Sequence, residues 1–217
     1  MAVELHLAQD PQADRVISKN PFALVVGMLL DQQVMIEVAF SAPAELERRL
    51  GQKLSAPAIA ALDPDELAAV FAQRPALHRY PGSMARRVHD MSRVLVEEYG
   101  GKADRLWRDV PSGPALVARL RALPGFGEQK AKIFAALLGK QLSVRPEGWR
   151  DATSPYGDDG SFRSVADIHD VETLIRVRAF KQDMKARARA AATGDGRAKR
   201  GAGRAGTSGA KAKVGKK

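Results

Sequence analysis

Residues 120–138 read LRALPGFGEQKAKIFAALL, two helical stretches joined by the turn Pro124-Gly125-Phe126-Gly127. A turn this short needs backbone freedom: Gly125 and Gly127 are expected to accept positive φ, while Pro124 fixes the exit from the first helix. The amides of the turn and of the next helix's first residues then have no intrahelical partner and point outward, where such groups hold phosphate. With no side chains at the glycines, the turn can approach a nucleic-acid backbone closely without reading a base. Ordinary helix connections also use Gly and Pro, so the flanking sequence has to decide.

Working outward, 114–123 and 128–139 carry helical periodicity, which places the hairpin at about 114–139. Upstream, residues 11–19 read as a short helix, and Asn20-Pro21 supplies a cap and a first-turn proline for a longer one running to about residue 40. That helix is apolar on nearly all sides and belongs in the middle of the protein. Further helices are expected near 43–50 and 64–73, then an amphipathic one over 83–99, capped by Ser83 and ended by Gly100-Gly101. Residues 140–163 are dense in Pro, Gly, Ser and charge and read as irregular, with room for one short helix. A last helix is expected over 171–187. Only 3–7 and 142–144 look strand-like, so the fold class is all-α. The expected domains are a helical body over 1–187 and a disordered basic tail over 188–217.

The 217 residues carry a net charge of +10, distributed unevenly. Residues 181–217 hold 12 Lys and Arg against 2 Asp, leaving 23 basic and 23 acidic side chains in the body. A neutral body with a cationic tail suits a polyanionic partner, because each Lys or Arg near a phosphate releases counterions; a solubilising tail would look the same. The tail has no apolar face to bury in a membrane. Cysteine is absent, which excludes disulfides, an iron-sulfur cluster and cysteine-ligated zinc. The longest apolar stretch, 22–30, is too short for a bilayer and no leader is evident, so a soluble intracellular protein is expected.

The stretch 120–138 is similar to the central motif of the helix-hairpin-helix base-excision DNA glycosylases, the HhH-GPD superfamily. Two further blocks carry the resemblance in the same order and spacing: GMLLDQQV at 27–34 and HRYPGSMARRVHDMSRVLVEEYGG at 78–101. The resemblance implies a two-lobed helical fold with double-stranded DNA bent across a cleft and one modified base flipped out. It implies that Gln33, beside Gln32, fills the space the base leaves. Gly125, Phe126, Gly127, Gln129 and Lys130 would form the phosphate-holding face, with Ser83, Arg86 and Arg87 at the rim. It further implies a monomer without an iron-sulfur cofactor, room for a monovalent cation at the hairpin, and a cytoplasmic, nucleoid-associated location.

Cleaving a glycosidic bond calls for a carboxylate that stabilises positive charge on the sugar and positions water. The family usually carries it in a Val-Asp pair about 18 residues beyond the hairpin, and the corresponding pair here is Val144-Arg145. Members that cut the strand through a Schiff base have Lys two positions after the second glycine; here that position is Gln129, and Lys130 is rotated about 100° from it. Lyase activity is therefore not expected. If the chain is an enzyme, the candidate acids are Asp31, which a structural pairing with an Arg would also explain, and Asp167, which a helix cap would also explain. Asp151 and His169 are weaker. Trp149, Tyr156 and Phe162 either wall a base pocket or pack under a long loop. The two functional expectations are a monofunctional DNA N-glycosylase and a non-catalytic damage reader on the same scaffold.

Overall fold

Proline after a polar cap starts helix after helix. In the computed structural model, which describes residues 4–202 with side chains through 190, Asp10 caps α1 (Pro11–Lys19) by accepting from Ala13 N at 2.8 Å. Asn20 caps α2 (Pro21–Leu30), accepting from Phe22 N at 3.0 Å, and ties it down by donating to Leu54 O at 2.8 Å. The chain continues through α3 (Ile36–Leu50), α4 (Ala56–Ala60), α5 (Pro64–Ala72) and α6 (Pro81–Tyr99). A 3-10 turn (Ala103–Leu106) leads to α7 (Gly113–Arg121), α8 (Glu128–Gln141) and α9 (Trp149–Thr153). A second 3-10 turn (Val165–Asp167) precedes α10 (Val171–Ala202). Among the described residues there is no strand beyond an isolated bridge between Ser112 and Glu147, so the fold is all-α.

Two groups of helices share one apolar core. In the first, α1 and α2 pack on α3, and α4 and α5 on α6; in the second, α7, α8 and α9 pack on one another, with the second 3-10 turn against α8. The first 3-10 turn touches α2, α6 and α7 and joins the groups. Every residue from Phe22 to Leu30 is buried, as its continuous apolarity predicts, and burial of that surface is the main favourable contribution to folding. The described chain forms two compact units that part after Val177.

Four sequence expectations need correction here. The long helix over 21–40 is two helices, α2 and α3, with a break at 31–35; the carbonyls exposed by the break are satisfied from a distant part of the chain. The strand-like segment 3–7 forms no strand where described: Leu5 and Leu7 are buried, but their neighbourhood is bonded to α1, with Leu5 N donating to Ser18 Oγ at 2.8 Å and Ala8 N to the buried Asp14 carboxylate at 2.7 Å. Ser83 does not cap α6, because Pro81 takes the first helical position and Tyr80 is the cap residue. The last helix does not stop near 187. Its backbone is helical to Ala202, since Ala, Arg and Lys are strong helix formers without any need for a buried face. The rest of the expected tail, 203–217, lies outside the described residues.

Candidate nucleic-acid interface

The helix-hairpin-helix is formed by α7, the turn 122–127 and α8. Gly125 has φ +82°, as expected, and a Cβ there would sit 2.5 Å from Leu29 Cδ1. Gly127 differs from expectation: its φ is −83° and ψ 175°, because it is the extended cap residue of α8. A Cβ at Gly127 would meet nothing within 4 Å, so the protein's own packing does not demand glycine there. The residue is exposed and offers no side-chain cap, which leaves the first amides of α8 open to an external acceptor.

Two hairpin residues expected at the DNA face turn inward. Phe126 is 5% exposed and packs on Phe134, with ring centroids 6.1 Å apart; only its backbone belongs to the outer face. Lys130 is directed into the protein. Its Nζ donates to Met28 O at 2.6 Å, Leu29 O at 2.9 Å and Asp31 O at 3.3 Å, the carbonyls left open where α2 stops. An ammonium is a natural partner for the negative end of a helix dipole, and here Lys130 supplies it to α2. Gln129, in the position of the lyase lysine, is exposed and donates from Nε2 to Tyr156 Oη at 2.9 Å.

The loop after α2 is pinned from three directions. Gln32 Nε2 donates to Leu29 O at 2.6 Å, and its Oε1 accepts from Arg87 at 3.0 Å. Buried His78 joins the loop to the start of α6: Tyr80 N donates to its Nδ1 at 3.0 Å, so Nε2 carries the proton and donates to Gln32 O at 2.9 Å. Burial holds the His78 pKa below its ordinary 6.5, and the Lys130 and Arg87 charges push the same way. Gln33 emerges from this loop exposed and at φ +55°, with Tyr80 Oη 3.4 Å from its Oε1. A non-glycine residue in that region is strained by about 1 kcal/mol or more and persists only where its surroundings fix it. Ser83 and Arg86 are exposed on the first turns of α6, Arg86 lying 3.7 Å from Asp65 in a solvent-exposed pair.

The candidate acids have opposite surroundings. Asp31 is half-buried at the end of α2, and among the described residues its carboxylate meets no hydrogen-bond or ion-pair partner. Asp167 is 5% exposed and saturated: it takes Lys140 Nζ at 2.6 Å, Ser161 Oγ, and the amides of Arg163 at 2.9 Å and Ser164 at 3.2 Å. Lys140 also donates to Asp158 O at 2.5 Å, so this cluster clasps the 158–167 loop to α8. Arg145, in the family's usual acid position, donates from Nε to Gly139 O at 2.9 Å and finishes α8. Val144 is held there too, its amide on Leu138 O at 3.0 Å, so the segment stays at the far end of α8 from the turn.

Trp149 is buried against Gly139, and Arg176 stacks on Phe162 at 4.9 Å. Both rings pack within the 140–177 region and also line a cavity there with Asp167 and His169. Tyr156, bonded to Gln129, reaches the first turn of α8. Asp151 and His169 are exposed. Among the described residues no group of three or more His, Asp or Glu side chains could hold a metal ion, and no helix is long and apolar enough to cross a membrane.

The structure therefore brings together the three blocks at 27–34, 78–87 and 123–130, and over most of its length the chain matches a known family. The description that matches, over residues 26–215, is the HhH-GPD superfamily of base excision DNA repair proteins. The chain belongs to this family. It is a DNA-binding base excision repair protein, and the family's hairpin is the element that α7 and α8 build. No curated protein and no solved structure matches the chain.

Proposed function

We propose that the chain is a monofunctional DNA N-glycosylase that acts as a monomer on double-stranded DNA containing a modified base. The observation that carries the proposal is the Gln33 loop, strained, exposed and pinned beside the hairpin. A base inside a duplex cannot reach a catalytic group unless it is extruded, and Gln33 is a side chain of suitable size and polarity to take its place. The open amides at the start of α8 anchor the flanking phosphate.

Asp31 is the acid in this scheme. Water's oxygen bonds to C1′ of the deoxyribose as the C1′–N bond breaks; the electron pair leaves with the base, which takes up a proton from solvent, while Asp31 accepts one proton of the attacking water and then releases it to solvent. Its freedom from structural partners supports this role, whereas Asp167 is occupied by the clasp. Gln129 at the lysine position supports hydrolysis without strand cleavage. A second reading, a non-catalytic damage reader, draws its support from Arg145 at the family's usual acid position.

One experiment separates the two. Duplexes each containing one modified base are incubated with the protein and treated with hot alkali. The glycosylase cuts at one lesion, and Asp31→Asn lowers that rate by about 10²–10⁴-fold while duplex binding is retained. Tight binding to an abasic-site analogue with no breaks at any lesion establishes the reader instead.

A further inference from the structure

We infer that Lys130 is a positioning residue that ties the phosphate-anchoring hairpin to the loop presenting Gln33, so that the two DNA-facing elements move as one unit. The inference rests on the damage-recognition reading above and goes beyond it by assigning how anchoring and base replacement are coupled. Helix α2 ends at Leu30 with its last carbonyls only partly covered by its own sequence, Gln32 Nε2 donating to Leu29 O at 2.6 Å, and Asp31 then turns the chain away. The rest of their cap comes from a residue about a hundred positions later: one ammonium bonded to Met28 O, Leu29 O and Asp31 O.

A second contact makes the same connection independently. Gly125, at the crest of the turn, lies so close to Leu29 that an added Cβ would be 2.5 Å from its Cδ1. The hairpin is therefore registered on the end of α2 at two points, one apolar and one ionic. Gln33 begins two residues beyond the last carbonyl that Lys130 holds. Displacing α8 by engaging a phosphate shifts Lys130, and with it the start of the Gln33 loop. Arg87 and His78 complete the frame from α6 and its approach, through Gln32 Oε1 and Gln32 O. A charge-assisted bond to a buried carbonyl is stronger than a neutral one, so the tie is stiff.

The test measures affinity for an intact duplex and for the same duplex with an abasic-site analogue, together with amide hydrogen exchange at residues 31–34, in wild type and Lys130→Met. The expected result is an about tenfold fall in the ratio of the two affinities, with intact-duplex affinity and its salt slope unchanged and exchange at 31–34 accelerated. Lys130→Arg, which keeps the charge and the donors, restores part of the ratio. If Lys130→Met does not fold, Lys130→Gln, which can still donate to one carbonyl, carries the same readings. Equal losses on both duplexes with a shallower salt slope would make Lys130 a phosphate ligand and overturn the inference, as would an unchanged ratio with unchanged exchange. A wild type with no preference for the abasic analogue sinks the damage-recognition reading itself; the exchange at 31–34 then still decides whether the tie exists.

Discussion

The two ends of α8 treat their polar groups in opposite ways. At the C-terminal end the side chains are engaged internally: Arg145 donates to Gly139 O, Gln141 Nε2 donates to Val165 O, Ala166 O and Ile168 O, and Lys140 meets the buried Asp167. At the N-terminal end Gly127 supplies no cap, the first amides face outward, and the Lys130 ammonium is turned away to the end of α2. An uncapped helix start whose glycine is exposed and has open space around it is suited to an external acceptor. The internally engaged end is expected to act as scaffold, and it is the end where Arg145 stands at the family's usual acid position.

Asp167→Ala should be the most damaging test of this division. Removing one partner of a buried ion pair strands Lys140 and costs about 3–5 kcal/mol, seen as a large drop in Tm, while the folded fraction binds duplex DNA normally. A variant that keeps its Tm, or that loses DNA binding while folded, breaks the assignment of this end as scaffold.

The paired glycines come next. Gly125→Ala forces a side chain into φ +82° and against Leu29 and is expected to lose roughly 1–3 kcal/mol of stability. Gly127→Ala has normal φ and open space, so its Tm should stay at the wild-type value, yet the methyl group intrudes between the amides and a phosphate and weakens duplex binding by about tenfold. Wild-type affinity for Gly127→Ala would remove the open end of α8 from the interface.

The smallest effect expected is a pH dependence at the Gln33 loop. Because burial depresses the His78 pKa in the folded protein, the unfolded chain binds more protons just below 6.5. The stability this neutral imidazole supplies is complete above pH 6.5, falls as pH drops below it, and is gone once pH passes the depressed folded value. A titration of Tm from pH 8 to 5 should fall less steeply in His78→Gln than in wild type; parallel curves would show that His78 does not govern the loop.

Much of this was legible in the sequence where the determinants are local. Asn20-Pro21, Gly100 and the apolar run 22–30 state their helix boundaries and burial outright, and the three blocks that meet at the interface share one order and spacing. What escaped prediction depends on distant partners. The break after Leu30 is stabilised by Lys130, and nothing near residue 30 announces it. The inward turn of Phe126 and Lys130 depends on how α8 is rotated against α2. Asp167 becomes a clasp only because Lys140 comes within 2.6 Å of it. Gly127 is extended and not at the positive φ expected of it, since an extended cap residue and a left-handed one are both natural for glycine.

Trp149 gives the hairpin a gauge. Its rings lie where a Cβ on Gly139 of α8 would be, 2.5 Å away, and its backbone crowds Gly113 at the start of α7, so one residue is wedged against both arms at the end opposite the turn. The fourteen residues of α8 span roughly 21 Å, so the backbone of Trp149 against α7 and its indole against α8 hold the arms at the far end of that lever. The spacing of the two arms is thus fixed in part by a residue at the end away from the turn.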